Sequence, residues 1–67
     1  MAEEMTKIEK IYCEAANELI DVEEEKTPAV INRVSKYVYD KHGYNAADET
    51  IAHDALIFAM DWFFYNN

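Results

Sequence analysis

Glu14, Glu18, Asp21 and Glu25 follow one another at steps of four, three and four. On a helix that spacing places all four carboxylates on one stripe. Their chemistry is ion pairing, because an ionised carboxylate only accepts hydrogen bonds. A row of acids repeating about every 6 Å along a helix can stand in for a run of phosphates. It could then compete for a nucleic-acid-binding groove on another protein. Each like-charge neighbour on the stripe costs a few tenths of a kcal/mol. Glu23 and Glu24 would add charge at the helix C-terminus, where the dipole disfavours it. A chain that accepts this repulsion is expected to use the charge. The candidate partner-binding face is therefore Glu14, Glu18, Asp21, Glu23, Glu24 and Glu25.

The remaining chemistry-bearing residues assemble into nothing catalytic. Glu49 and His53 share a helical face with Asp54 beside them, but there is no second copy of the pair and no metal-ligand spacing. His53 reads as a surface histidine beside Glu49. Asp61 is the only polar residue between Ala55 and Tyr65, and its spacing from Asp54 and Ile57 assigns it to a water-facing strip. Cys13 sits at helical spacing from Ala16 and Ile20, as a small buried residue does. Tyr39 and Tyr44, two of five tyrosines, flank a turn and suit interface anchors. With no phosphate loop and no nucleophile–base set, the expectation is a non-enzymatic chain without metal or cofactor.

Three helices must position these groups, in one all-α domain spanning residues 1–67. The first is expected over about 3–25, where Met1, Met5, Ile8, Tyr12, Ala15, Leu19 and Val22 keep a heptad-like seam. Ile11, Cys13, Ala16 and Ile20 widen that seam into a bundle face. The second is expected over 28–42. Thr27 caps it, Pro28 takes its first position and Gly43 ends it, with Lys41 and His42 beside the negative end of the dipole. Its buried stripe is Val30, Ile31, Val34, Tyr37 and Val38. The third is expected over 46–65, with Asn45 as N-cap and Asp48 and Glu49 near the positive end.

That third helix is apolar nearly all round. Ile51, Ala55, Phe58, Trp62 and Tyr65 make one seam, and Ala52, Leu56, Ala59 and Phe63 make another. Ile57, Met60 and Phe64 fall outside both, on the expected solvent side. A contiguous apolar patch marks an interaction site. Ile57, Met60, Trp62, Phe64 and Tyr65 are thus the candidate interface, and a homodimer through this helix is the expected assembly. A short chain has few residues to spare for covering such a helix, and its single cysteine rules out a disulfide within the chain.

Charge bounds the partners. The net charge is −8. Residues 1–26 carry nine acids and three lysines (−6), residues 27–43 carry +2, and residues 44–67 carry −4. Direct binding to nucleic acid or to an anionic membrane needs the opposite sign. The complementary partner is a protein with a basic, nucleic-acid-handling surface. Met1-Ala2-Glu3-Glu4 does not open a signal peptide, residues 55–65 are too few to span a bilayer, and one unpaired cysteine suits a reducing compartment. A cytoplasmic inhibitor or adaptor follows, of the kind common among phage and mobile-element products that block a host protein. The alternative is an assembly protein recognised through the apolar face of the third helix. No motif names a family.

Overall fold

The computed structural model describes residues 5–65. Three helices run in chain order: α1 (Lys7–Leu19), α2 (Pro28–His42) and α3 (Thr50–Tyr65). There is no strand among the described residues. The three-helix all-α fold is the one the spacing predicts, but two of the three helices are shorter than expected.

α1 begins at a capping box. Thr6 Oγ1 accepts from the Glu9 amide at 3.2 Å, and Glu9 Oε1 accepts from the Thr6 amide at 3.0 Å. Each side chain satisfies a backbone donor that the first turn would leave unpaired. The helix stops at Leu19, where Ile20 turns extended (φ −111°, ψ 128°) while its N–H still reaches the Ala16 carbonyl at 3.0 Å. Stopping there keeps Glu23, Glu24 and Glu25 off the negative end of the dipole. It also lets Ile20 fold inwards and leaves Val22 88% exposed. The expected seam therefore packs on the core from Met5 to Leu19 and fails at Val22. Met1 lies outside the described residues.

α2 has the predicted bounds. Thr27 Oγ1 accepts from the Val30 amide at 3.3 Å, and Pro28 occupies the first turn. Gly43 closes the helix at φ 80°, its N–H on the Tyr39 carbonyl at 2.9 Å. Only a residue without a Cβ adopts that backbone cheaply. Val30, Val34 and Val38 form the buried stripe, with Ile31 and Tyr37 packed beside it.

Asn45 opens a separate turn and does not cap α3 directly. Its Oδ1 accepts from the Ala47 amide at 3.0 Å, and its carbonyl accepts from the Asp48 and Glu49 amides at 3.1 and 2.9 Å. An Asn side chain folding onto its own backbone in this way favours a turn over a helix. The turn buries Ala46, and continuous helix starts at Thr50, four residues later than expected.

α1 is the central element. It packs on both other helices, most extensively on α3, whereas α2 and α3 barely meet. The molecule is flat, 34 × 27 × 17 Å, with a radius of gyration of 11.1 Å, close to the roughly 11 Å of a compact chain this long. Alanines on both partners (Ala15 and Ala16 on α1; Ala52, Ala55 and Ala59 on α3) are buried and permit a close approach. Tyr12, Met60, Val34 and Val38 are the largest fully buried side chains.

Met60 is a correction. Expected on the solvent side, it is 1% exposed. The seam Ala52–Leu56–Ala59–Phe63 is buried as expected, but its companion is Ala55 and Met60, not Ile51, Phe58 and Tyr65. α3 is rotated so that its small residues face α1. That rotation hides Met60 and turns part of the expected core seam to the solvent.

Candidate protein-binding surface

The six carboxylates first singled out do not form one helical stripe. Glu14 and Glu18 lie exposed on α1, while Asp21, Glu23, Glu24 and Glu25 fall in the segment after the helix has ended. Two of the six have structural partners. Glu18 accepts from the Tyr37 hydroxyl at 3.2 Å, which ties α1 to α2. Glu24 takes both arms of the Arg33 guanidinium, at 2.8 and 3.0 Å. Arg33 Nη1 also donates to the Leu19 carbonyl at 2.9 Å, and Glu24 Oε1 accepts from the Asp21 amide at 3.0 Å. This clamp supplies the partner that the end of α1 lacks. The Arg33 hydrogen bonds, then the Asp21 amide, hold the Glu24 carboxyl below the ordinary glutamate value, and Glu24 in turn raises the guanidinium of Arg33.

Asp21, Glu23 and Glu25 remain exposed. Their neighbour Lys26 reaches across to α3, with its Nζ 3.8 Å from Asp61 Oδ1 and 4.8 Å from the centre of the Tyr65 ring. Lys26 therefore brings the last part of the α1–α2 loop beside the C-terminal end of α3.

The outer side of α3 carries an exposed row that the spacing had placed mostly in the core. Ile51, Asp54, Phe58, Asp61 and Tyr65 follow steps of three, four, three and four, and all five are exposed. Ile51 is 71% and Tyr65 67% accessible. The row is about 21 Å long at the helical rise, with apolar anchors at its ends and centre and a carboxylate in each gap. Ile57 adjoins it and is also exposed, whereas Trp62 and Phe64 are half-buried against the core. Of the five expected interface residues, Ile57 and Tyr65 are open, Trp62 and Phe64 are partly open, and Met60 is closed. Ile51 and Phe58 were missed. Their signal was their regular alternation with Asp54 and Asp61, the only two acids on this helix.

The other candidates stand apart from this face. Cys13 is buried, and burial first, then the nearby Glu9 and Glu14 charges, push its thiol up to about 11. It stays protonated at neutral pH and is a poor nucleophile. Glu49 and His53 are both exposed, and the bond that joins them runs between backbone atoms, His53 N to Glu49 O at 2.9 Å. No group of three metal-binding side chains converges among the described residues. A cleft of about 540 Å³ between α1 and α2 is lined by Glu14, Glu18, Tyr37, Lys41 and His42 among others. Its polar groups engage each other, with Tyr37 on Glu18 and the Lys41 ammonium 5.5 Å over the Tyr37 ring. Tyr39 is exposed, and Tyr44 is half-buried with its ring 6.4 Å from that of His42. No described helix is long and apolar enough to cross a membrane.

Comparison with models of known protein families, with characterised proteins and with solved structures finds no match to this chain.

Proposed function

We propose that this chain is a small non-enzymatic protein-binding module, an inhibitor or adaptor acting in the cytoplasm. Its recognition surface is the outer row of α3, together with the exposed loop carboxylates Asp21, Glu23 and Glu25. Ile51, Phe58 and Tyr65 enter an apolar groove on the partner. Asp54 and Asp61 pair with cations on the groove's rim, as on a protein that handles nucleic acid. The observation that supports this reading is the alternation of large apolar and acidic side chains along one exposed helical face. A helix laid in a groove reads as anchors at such spacings, and carboxylates between the anchors steer it to a basic rim.

A second reading, a homodimer through α3, draws on the same exposed Ile51, Phe58 and Tyr65. Charge weighs against it. A symmetric antiparallel pairing of the rows brings Asp54 of one copy towards Asp61 of the other, and joins two chains of net −8 each. Like charges directly opposed are destabilising. A basic partner removes the repulsion that a second copy would add.

Capture from lysate under matched conditions tests the proposal. Phe58→Ala with Tyr65→Ala, and separately Asp54→Lys with Asp61→Lys, should each release the captured protein, while Glu14→Lys with Glu18→Lys keeps it. Capture should also weaken between low and high salt. Retention by both α3 variants would refute the assignment.

A further inference from the structure

Lys26 is the last residue of the α1–α2 loop before the Thr27 cap. The chain is anchored on either side of it. Glu24 is pinned to Arg33, and Thr27 accepts from the Val30 and Ile31 amides. From that held point the Lys26 side chain crosses to α3. There one ammonium faces two members of the outer row, Asp61 Oδ1 at 3.8 Å and the Tyr65 ring at 4.8 Å from its centre. Asp61 and Tyr65 are one helical turn apart, so they share a face. They also lie at the C-terminal end of α3, the negative end of its dipole, and α3 has no basic residue in its own last turn. Carboxylate, ring face and helix end all favour a cation at the same place.

Lys26 fills that place poorly. A separation of 3.8 Å is too long for a hydrogen bond, so the ammonium attracts Asp61 without donating to it. Both side chains are exposed, where such a pair contributes little. An untethered planar cation would fit better. A guanidinium stacks flat on an aromatic face, its edge donates twice to a carboxylate, and it is less strongly hydrated than an ammonium. We propose that Asp61 and Tyr65 form a cation subsite, filled by the chain's own Lys26 in the free protein and by an arginine of the partner in the complex. The inference rests on the outer row of α3 being the recognition surface. It adds which cation the partner brings and what that cation displaces. Lys26 is an internal competitor, and it weakens binding according to the fraction of molecules in which it occupies the subsite. Weaker cations are kept out by the same contact.

The test is an NMR titration of the whole chain with acetyl-Ala-Arg-Ala-amide, beside the same peptide carrying lysine or neutral citrulline in place of arginine. The arginine peptide should give saturable shifts at the Tyr65 ring and at the Lys26 side chain as it is released. The lysine peptide should bind more weakly, and the citrulline peptide should leave both signals unmoved. Lys26→Gln empties the subsite and should tighten the arginine peptide roughly two- to fivefold. Lys26→Arg supplies a better internal filler and should loosen it. Thermal unfolding should not follow that order, with Lys26→Gln no more stable than the parent. A lysine that merely steadied the end of α3 would give the reverse, since its loss would weaken binding. Glu14→Gln, away from the row, should bind as the parent does. Saturable binding at Tyr65 that Lys26→Gln leaves no tighter would overturn the competitor while the outer row stands. Equal affinity for the lysine peptide would overturn the choice of arginine, and shifts that never saturate would overturn the subsite. Failure of the row itself would show separately, as retention of the captured protein by both α3 variants.

Discussion

α2 and α3 are almost equal in length, 15 and 16 residues, yet they are specified in opposite ways. α2 is defined by its ends. Thr27, Pro28 and Gly43 fix where it starts and stops, and one stripe of valines fixes which side it buries. α3 is defined by its partner. It is apolar on nearly every side, so packing against the alanines of α1 chooses its rotation. A helix that carries one apolar stripe spends most of it on the fold, as α2 does with only Tyr39 left exposed among its large apolar residues. A helix that carries too much keeps a remainder exposed, and here the remainder is ordered into the row from Ile51 to Tyr65.

Substitutions on α3 should divide sharply by side. Met60→Ala removes a fully buried side chain and should cost about 2–5 kcal/mol, enough to unfold much of so small a domain. Ile57→Ala, on the exposed side, should cost well under about 1 kcal/mol. Urea denaturation of the two variants checks the contrast, and equal losses would mean that α3 sits in another rotation. Substitutions on α2 should act through its ends. Gly43→Ala forces a Cβ into the left-handed region and should cost about 1–2 kcal/mol, while Thr27→Ala should cost about 1 kcal/mol. Thermal unfolding would read both.

The smallest effect is expected at the clamp between α1 and α2. Arg33 lowers the Glu24 carboxyl, so the unfolded chain binds that proton more readily than the folded one. The clamp's contribution is then present above the ordinary glutamate range, near pH 4.5, and is lost as the pH falls through the lowered folded value. Arg33→Gln should flatten that part of the stability–pH curve and leave neutral-pH folding intact. A curve unchanged in slope would mean that Glu24 is not held by Arg33 in solution.

Legibility followed the same division. The bounds of α2 could be read because Thr, Pro and Gly act on their own backbone. The start of α1 was also written, in Thr6 and Glu9 three residues apart, but the apolar positions at Met1 and Met5 pointed further upstream. Its end was not, since Ile20 and Asp21 carry no local stop signal and the clamp comes from Arg33, 14 residues along the chain. The carboxylate row was lost with that end. In α3 the buried seam through Ala52, Leu56, Ala59 and Phe63 was legible, but the choice between Met60 and Phe58 as its neighbour was not. Periodicity cannot rank two apolar sides of one helix. Only the depth of approach that alanine allows could do so, and that is a property of two helices together.

The claim on which this account rests is that recognition belongs to the outer row of α3, with the acids of α1 in a lesser role. Side-chain NMR of the protein with its captured partner tests this most directly. The account predicts that Ile51, Ile57, Phe58 and Tyr65 shift and broaden on binding, while Ile11, beside Glu14 and Glu18, stays in place. Movement of Ile11 with the four α3 signals unchanged would contradict it.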